Sequence, residues 1–92
     1  MKLVFSGHAF ERMFQRGVEP HDVRSVIDHG ETIENYPSDQ PFPSCLMLGA
    51  VGGRAIHVAV ALDTLSDTAY VVTAYVPEPS LWEPDFKRRR PR

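Results

Sequence analysis

Arg54 to Leu62 reads RAIHVAVAL, and its alternation decides the fold. Side chains of an extended chain point to opposite faces with a period of two. Ile56, Val58, Val60 and Leu62 therefore share one face, and Ala55, His57, Ala59 and Ala61 share the other. Bulky aliphatics on one side mark a strand that lays that side on a core. Immediately before it, Gly52-Gly53 is a two-residue hairpin signal, and Cys45 to Val51 is an apolar run that fits the partner strand. Downstream, the polar stretch Asp63 to Asp67 leads to a further strand at Ala69 to Val76, which Pro77 and Pro79 end. Upstream, Thr32 to Tyr36 reads as a short strand ahead of the Pro-rich loop SDQPFPS, and Leu3-Val4-Phe5 as a short edge strand.

The period changes in the first 30 residues. Ser6 supplies an N-cap and Gly17 a C-terminal stop, and Phe10, Met13 and Phe14 between them have the spacing of a helical core stripe. Pro20 suits the first turn of a second helix, in which Val23, Val26 and Ile27 repeat that spacing before Gly30 ends it. Helices first and hairpin-linked strands after predict an α+β fold, with two N-terminal helices packed on an antiparallel sheet of three to five strands. Ninety-two residues make one domain, expected over residues 1–86, followed by a flexible basic tail at 87–92.

The net charge of −2 conceals an asymmetry. The first 86 residues hold five Lys or Arg and all 12 acids, whereas KRRRPR at the end holds five cations. That tail reads either as a solubilising end or as a phosphate-contacting arm through Lys87, Arg88, Arg89 and Arg90. Cys45 is the only cysteine, so no internal disulfide forms, and a reducing compartment is expected. The N-terminal apolar run is too short for a signal peptide, and no stretch reaches the roughly 20 apolar residues that span a bilayer. The expected location is the cytoplasm, with no membrane partner.

His8, Arg12 and Arg16 are spaced by four and drift about 40° per step around a helix. They form a stripe with no acid at the same spacing. Two readings are open: a solvated face, or a phosphate site in which guanidinium forks hold oxygens. His57 sits among alanines on a strand face that reads as open. If Leu62 pairs with Thr68, His57 lies opposite Thr73 and diagonal to Tyr75. On an open face, His57→Ala should cost about 1 kcal/mol or less. Trp82 reads as a packing residue or as a base-stacking platform. The histidines form no HxxxH or HExxH pair, and His21 and His29 are roughly 12 Å apart on a helix, so neither a metal nor another cofactor is expected.

Three pieces in order, H-A-x-E-R-x-x-x-R-G (His8 to Gly17), R-A-I-H-V (Arg54 to Val58), and T-A-Y followed by W-x-x-D-F-K-R-R (Thr73 to Tyr75, Trp82 to Arg89), resemble the DUF4258 family of small bacterial proteins. Tyr36-Pro37 also matches. The resemblance implies a RelE-like fold and a grouping with RelE and barnase-like RNase toxins. It implies toxin partners of zinc-ribbon or helix-turn-helix antitoxins. By the same resemblance His8, Arg12, Arg16, His57 and Tyr75 are the site residues. The function expected is a metal-independent endoribonuclease toxin cutting RNA by acid/base chemistry. The alternative is a non-catalytic interaction module that uses the His8/Arg12/Arg16 face.

Overall fold

A computed structural model describes residues 1–91. The elements run β1 (Lys2–Phe5), α1 (Gly7–Gln15), α2 (Pro20–His29), β2 (Glu31–Tyr36), β3 (Ser44–Val51), β4 (Arg54–Asp63) and β5 (Thr68–Tyr75). They form one five-stranded sheet in the order β1-β5-β4-β3-β2, with both helices against it. The fold is α+β as expected. The sheet is mixed rather than wholly antiparallel, because β1 runs parallel to β5, pairing Lys2 with Thr68 through Phe5 with Val71.

Local chemistry explains the boundaries. Ser6 accepts a hydrogen bond from the Ala9 amide and starts α1. Gly17 leaves the helix with φ +66, a left-handed conformation in which glycine has no Cβ to clash. Pro20 stands in the first turn of α2, and Glu19 and Asp22 form a reciprocal capping box there. Gly52 and Gly53, both at positive φ, close the β3–β4 hairpin between Val51 and Arg54. Gly49, which could be grouped with those hairpin glycines, lies inside β3 instead. A Cβ there would stand 2.9 Å from Val26 Cγ2, so glycine is what lets α2 lie close on the sheet.

The core lies between the helices and the Ile56/Val58/Val60 face of β4, together with Met13, Val23, Val26, Cys45 and Val71. The expected stripe on α1 is only one-third right. Met13 is buried, but Phe10 and Phe14 are 46% and 88% exposed. The 9-residue α1 packs against β5, near the sheet's edge, and buries only Ala9 and Met13. Phe10 rests partly on Phe5, with ring centroids 4.8 Å apart.

The opposite face of the sheet positions the site. The β4–β5 pairing has a bulge: Val60 pairs with Val71 and Ala59 with Thr73, leaving Val72 as the extra residue. Leu62 consequently pairs with Ala69, not Thr68, and His57 lies directly opposite Tyr75 rather than Thr73. The shift amounts to two residues at His57, so imidazole and phenol remain on one face.

Over His57 that face is not open. The chain after β5 folds back across it and makes a small turn of its own. Glu83 N donates to Arg88 O (2.8 Å), Arg90 N donates to Leu81 O (2.9 Å), and Trp82 and Arg89 form an isolated bridge. Lys87 Nζ lies 3.0 Å from Glu31 Oε1, and Arg90 Nε donates to Pro79 O at 2.8 Å. Lys87 thus joins this turn to β2 through Glu31, while Arg88, Arg89 and Arg90 make their bonds within the turn itself. Arg92 lies outside the described residues.

Candidate functional site: an arginine-lined cleft backed by a buried histidine

His57 is completely buried, at 0% exposure. Both ring nitrogens have partners: Nε2 lies 2.8 Å from the Phe86 carbonyl and Nδ1 lies 3.2 Å from the Tyr75 hydroxyl. A carbonyl only accepts, so Nε2 carries the proton, and in the neutral ring Nδ1 accepts from the Tyr75 O–H. Trp82 packs edge-on against the imidazole at 4.4 Å. Phe86 adopts φ +60 as its backbone turns beneath the sheet; the left-handed region costs a non-glycine residue about 1–2 kcal/mol. Burial lowers the His57 pKa from its ordinary value; the Phe86 carbonyl opposes this and the Arg89 charge adds to it. The ring is therefore held neutral near pH 7.

Tyr75 connects this buried ring to an open cleft of about 390 Å3, whose lining includes Arg12, Arg16, Thr73, Tyr75, Glu78 and Arg89. β1 pairs with β5 only as far as Val71, so Thr73 and Tyr75 lie on a stretch of β5 beyond it. Arg12 and Arg16 enter the cleft there from α1, and Arg89 enters from the C-terminal turn. Arg16 lies over the Tyr75 ring at 5.4 Å and Arg89 over Trp82 at 4.9 Å. Burial raises the Tyr75 pKa, while the Arg89 and Arg16 charges act against that rise. Thr73 Oγ1 is buried and has no hydrogen-bond partner among the described residues.

Of the residues singled out from sequence, Arg12, Arg16, Tyr75, Trp82 and Arg89 meet in this cleft, with His57 directly behind it. His8 is exposed on α1 and is not among the cleft's lining residues. Trp82 is 4% exposed, so its ring is packed on His57 and unavailable for stacking a base. Lys87 and Arg88 line an adjoining hollow, and Arg90 pairs with Glu83 at 3.6 Å. Sequence reading missed Glu78 as a cleft carboxylate; it follows Pro77 beyond the last strand, where no periodicity points to it.

One group of possible metal ligands exists among the described residues, Glu19, His21 and Asp22, with ligand atoms within 4.8 Å of one another. It lies outside the cleft, at the start of α2. Asp22 Oδ2 already accepts from the Glu19 amide (3.0 Å) and Arg54 (3.4 Å). His21 Nε2 stands 3.3 Å from both carboxylates, the geometry of a surface ion pair. No described helix is long and apolar enough to cross a membrane.

Neither the curated proteins nor the solved structures provide a match to this chain. A family model, the domain of unknown function DUF4258, matches residues 5–76. The match contains α1, the whole sheet beyond β1's first residues, and Arg12, Arg16, His57 and Tyr75; it ends before Glu78, Trp82 and Arg89. A family model covering this much of the chain places the protein in the DUF4258 family.

Proposed function

We propose that this protein is a metal-independent endoribonuclease working in the Arg12/Arg16/Arg89 cleft. One observation carries the reading. Three guanidiniums from two distant segments surround a phenol that is hydrogen-bonded to a buried, neutral imidazole. The cations suit a phosphodiester and the charge that builds on its phosphorane. His57 touches no solvent, so Tyr75 is the group that meets substrate. The 2′-hydroxyl gives its proton to the Tyr75 oxygen as the phenolic proton passes to His57 Nδ1. O2′ bonds to phosphorus, the P–O5′ bond breaks, and O5′ takes a proton from water at the open end of the cleft. The imidazolium formed has two N–H donors and two acceptors, Phe86 O and Tyr75 Oη, already in place. His57 is thus a positioning residue and proton store rather than a group in contact with RNA. The setting proposed is the cytoplasm, in keeping with a free, buried Cys45.

The test is cleavage of a synthetic single-stranded RNA in EDTA. Wild type should yield 2′,3′-cyclic phosphate ends. Tyr75→Phe should lower the rate by about 10²–10⁴-fold, the usual contribution of a positioned acid or base. Glu78→Gln separates the one rival base in the cleft: if it, and not Tyr75→Phe, abolishes cleavage, the carboxylate takes the 2′-OH proton. RNA left intact by folded wild-type protein refutes the enzyme reading.

A second reading has its own observation. Phe14 is 88% and Phe10 46% exposed on α1, beside an apolar groove of about 540 Å3 that includes Val18 and Pro20. Large apolar side chains held in water mark a surface that another protein covers. On this reading α1 docks a partner such as a zinc-ribbon or helix-turn-helix antitoxin, with His8, Arg12 and Arg16 meeting its acidic groups. Phe14→Ser would abolish that complex and leave RNA cleavage unchanged.

A further inference from the structure

The sheet face turned away from the helices carries more than the cleft. Three depressions lie next to one another across it. The arginine cleft and a second hollow of about 460 Å3 share Trp82 and Arg89. That hollow and a third, of about 670 Å3, share Tyr36. The pairing registers explain the relief. Tyr36 pairs with Ser44, Ser44 with Ala61, and Ala61 with Tyr70, so one row across the sheet is aromatic at both ends and small in the middle. In the next row, Leu46, Ala59 and Thr73 lie side by side, and Thr73 belongs to the arginine cleft. Ala59 and Ala61 thus floor a trough between the Tyr36 and Tyr70 side chains.

The trough has the chemistry of a base site. Tyr36 and Tyr70 are 39% and 36% exposed, so each keeps free ring surface. Tyr70 is held in place by Phe42, stacked at 5.4 Å and 2°. Asp39, whose carboxylate accepts from the Ser44 hydroxyl, and Gln40 add polar groups to the lining, where the edge of a base needs partners. The hollow between trough and cleft carries Arg88 and Arg89 against the Glu34 carboxylate, with Lys87 beside them paired to Glu31, a cationic stretch that suits a phosphate backbone. Ring surfaces joined to a cationic groove are how proteins hold unpaired strands.

We propose that this track binds single-stranded RNA, with a phosphate in the Arg12/Arg16/Arg89 cleft and the unstacked base of a neighbouring nucleotide in the trough between Tyr36 and Tyr70. The assignment rests on the RNA reading above and adds to it a base subsite and a requirement for an unpaired strand. Aromatic walls make the subsite tolerant of base identity, because every base has a π face.

The probe is a fluorescein-labelled, fully 2′-O-methylated hexanucleotide, which lacks the attacking hydroxyl and stays intact, alongside an abasic oligomer with the same backbone. Binding is read by anisotropy. Wild type should hold the base-bearing strand about tenfold tighter than the abasic one, in the range of one stacked base. Ala61→Leu, which fills the trough floor without removing a wall, should erase that preference and leave abasic binding unchanged. Tyr70→Ala should do the same. Arg12→Ala/Arg16→Ala should weaken both ligands alike. A duplex of the same sequence should compete poorly. Equal wild-type affinity for base-bearing and abasic strands overturns the base subsite while leaving the cleft as a phosphate site. Failure of both strands to bind overturns the subsite and the RNA reading together. A wild-type dimer that Ala61→Leu dissociates, with no base preference in either form, assigns the trough to a second copy and overturns the proposal.

Discussion

Replacing His57 with alanine measures how far the site is built into the core. The ring is fully buried, both nitrogens are bonded, and Trp82 packs on it at 4.4 Å. Three losses follow. A cavity replaces a large buried side chain, which in apolar cores costs roughly 2–5 kcal/mol. The Phe86 carbonyl and the Tyr75 hydroxyl each lose a partner, at about 1–3 kcal/mol for a buried group left unsatisfied. These losses do not add in full, because Tyr75 is half-buried beside an open cleft and water entering from it could restore its bond. A net loss of about 3–4 kcal/mol results. At about 4–8 °C per kcal/mol for a domain of this size, the melting temperature should fall by at least about 12 °C. Tyr75→Phe is the control. It keeps the packing, leaves Nδ1 unpaired, and should cost on the order of 1 kcal/mol. The assay is urea unfolding followed by circular dichroism, with thermal melts beside it. A loss below about 1 kcal/mol at unchanged m-value would falsify the buried, doubly bonded placement and restore the open strand face expected from the alanines.

Other outcomes follow from the same geometry. His57 has a lowered pKa in the fold and titrates near 6.5 when unfolded, so the unfolded chain binds the proton first. Its contribution to stability is complete above about pH 6.5 and is lost as pH falls from there toward the folded value; a wild-type melting profile no steeper over that window than that of His57→Gln would contradict this. RNA cleavage should fall over the acid side of the profile as the proton store fills, and a rate that rises on acidification instead would exclude His57 as acceptor. Deleting residues 87–92 removes Arg89 from over Trp82 and the Arg88 and Arg90 hydrogen bonds to the residues beside it, Glu83 and Leu81, so the sole tryptophan should shift its emission to the red, and the salt dependence of RNA binding should flatten. An unchanged emission spectrum and salt slope would return those residues to the status of a solubilising end. EDTA should leave cleavage intact, and rescue of a chelated, inactive protein by zinc or manganese would move attention to Glu19, His21 and Asp22.

The strands and helices were legible because each is signalled by its own residues. The 54–62 alternation, the Gly52-Gly53 turn, Ser6 and Pro20 act locally, and the structure uses each as read. Errors enter where a local rule depends on distant packing. The i, i+3, i+4 pattern chose Phe10, Met13 and Phe14, yet how wide a helix stripe is buried depends on what lies under it, and α1 covers the edge of the sheet rather than its centre. The parallel pairing of β1 is likewise invisible in LVF, because a four-residue strand carries no sign of its direction. The β4–β5 register failed for another reason. Loop length fixes the first pair, but a bulge at Val72 adds a residue that no composition signal marks in TAYVVTAY. His57 and Tyr75 stayed together because the discrepancy there came to two residues, and a shift of two keeps side chains on their face.

The face that read as open illustrates a deeper difficulty. Alanines at 55, 59 and 61 do leave room, as their size implies, but room on a sheet face invites a cover as readily as a ligand. Here the two occur side by side. Over His57 the space is filled by Trp82 and Phe86, whose positions depend on the Glu83–Arg88 and Leu81–Arg90 hydrogen bonds far along the chain. Over Ala59 and Ala61 the space stays open between tyrosines. The cover also supplies the cleft's third guanidinium, Arg89, and fixes the tautomer of His57 through the Phe86 carbonyl. The charge of the cleft, the tautomer of His57 and the fold of the C-terminal segment are therefore linked. A substitution that loosens the turn around Trp82 should disturb His57 and the arginine cleft at once, even though none of its residues lies within the 5–76 region that matches the family. Arg12, Arg16 and Tyr75 come from that shared region, while the residue that closes the cleft comes from beyond it. The cleft thus depends on a segment that its own hydrogen bonds and the packing of Trp82 on His57 put in place.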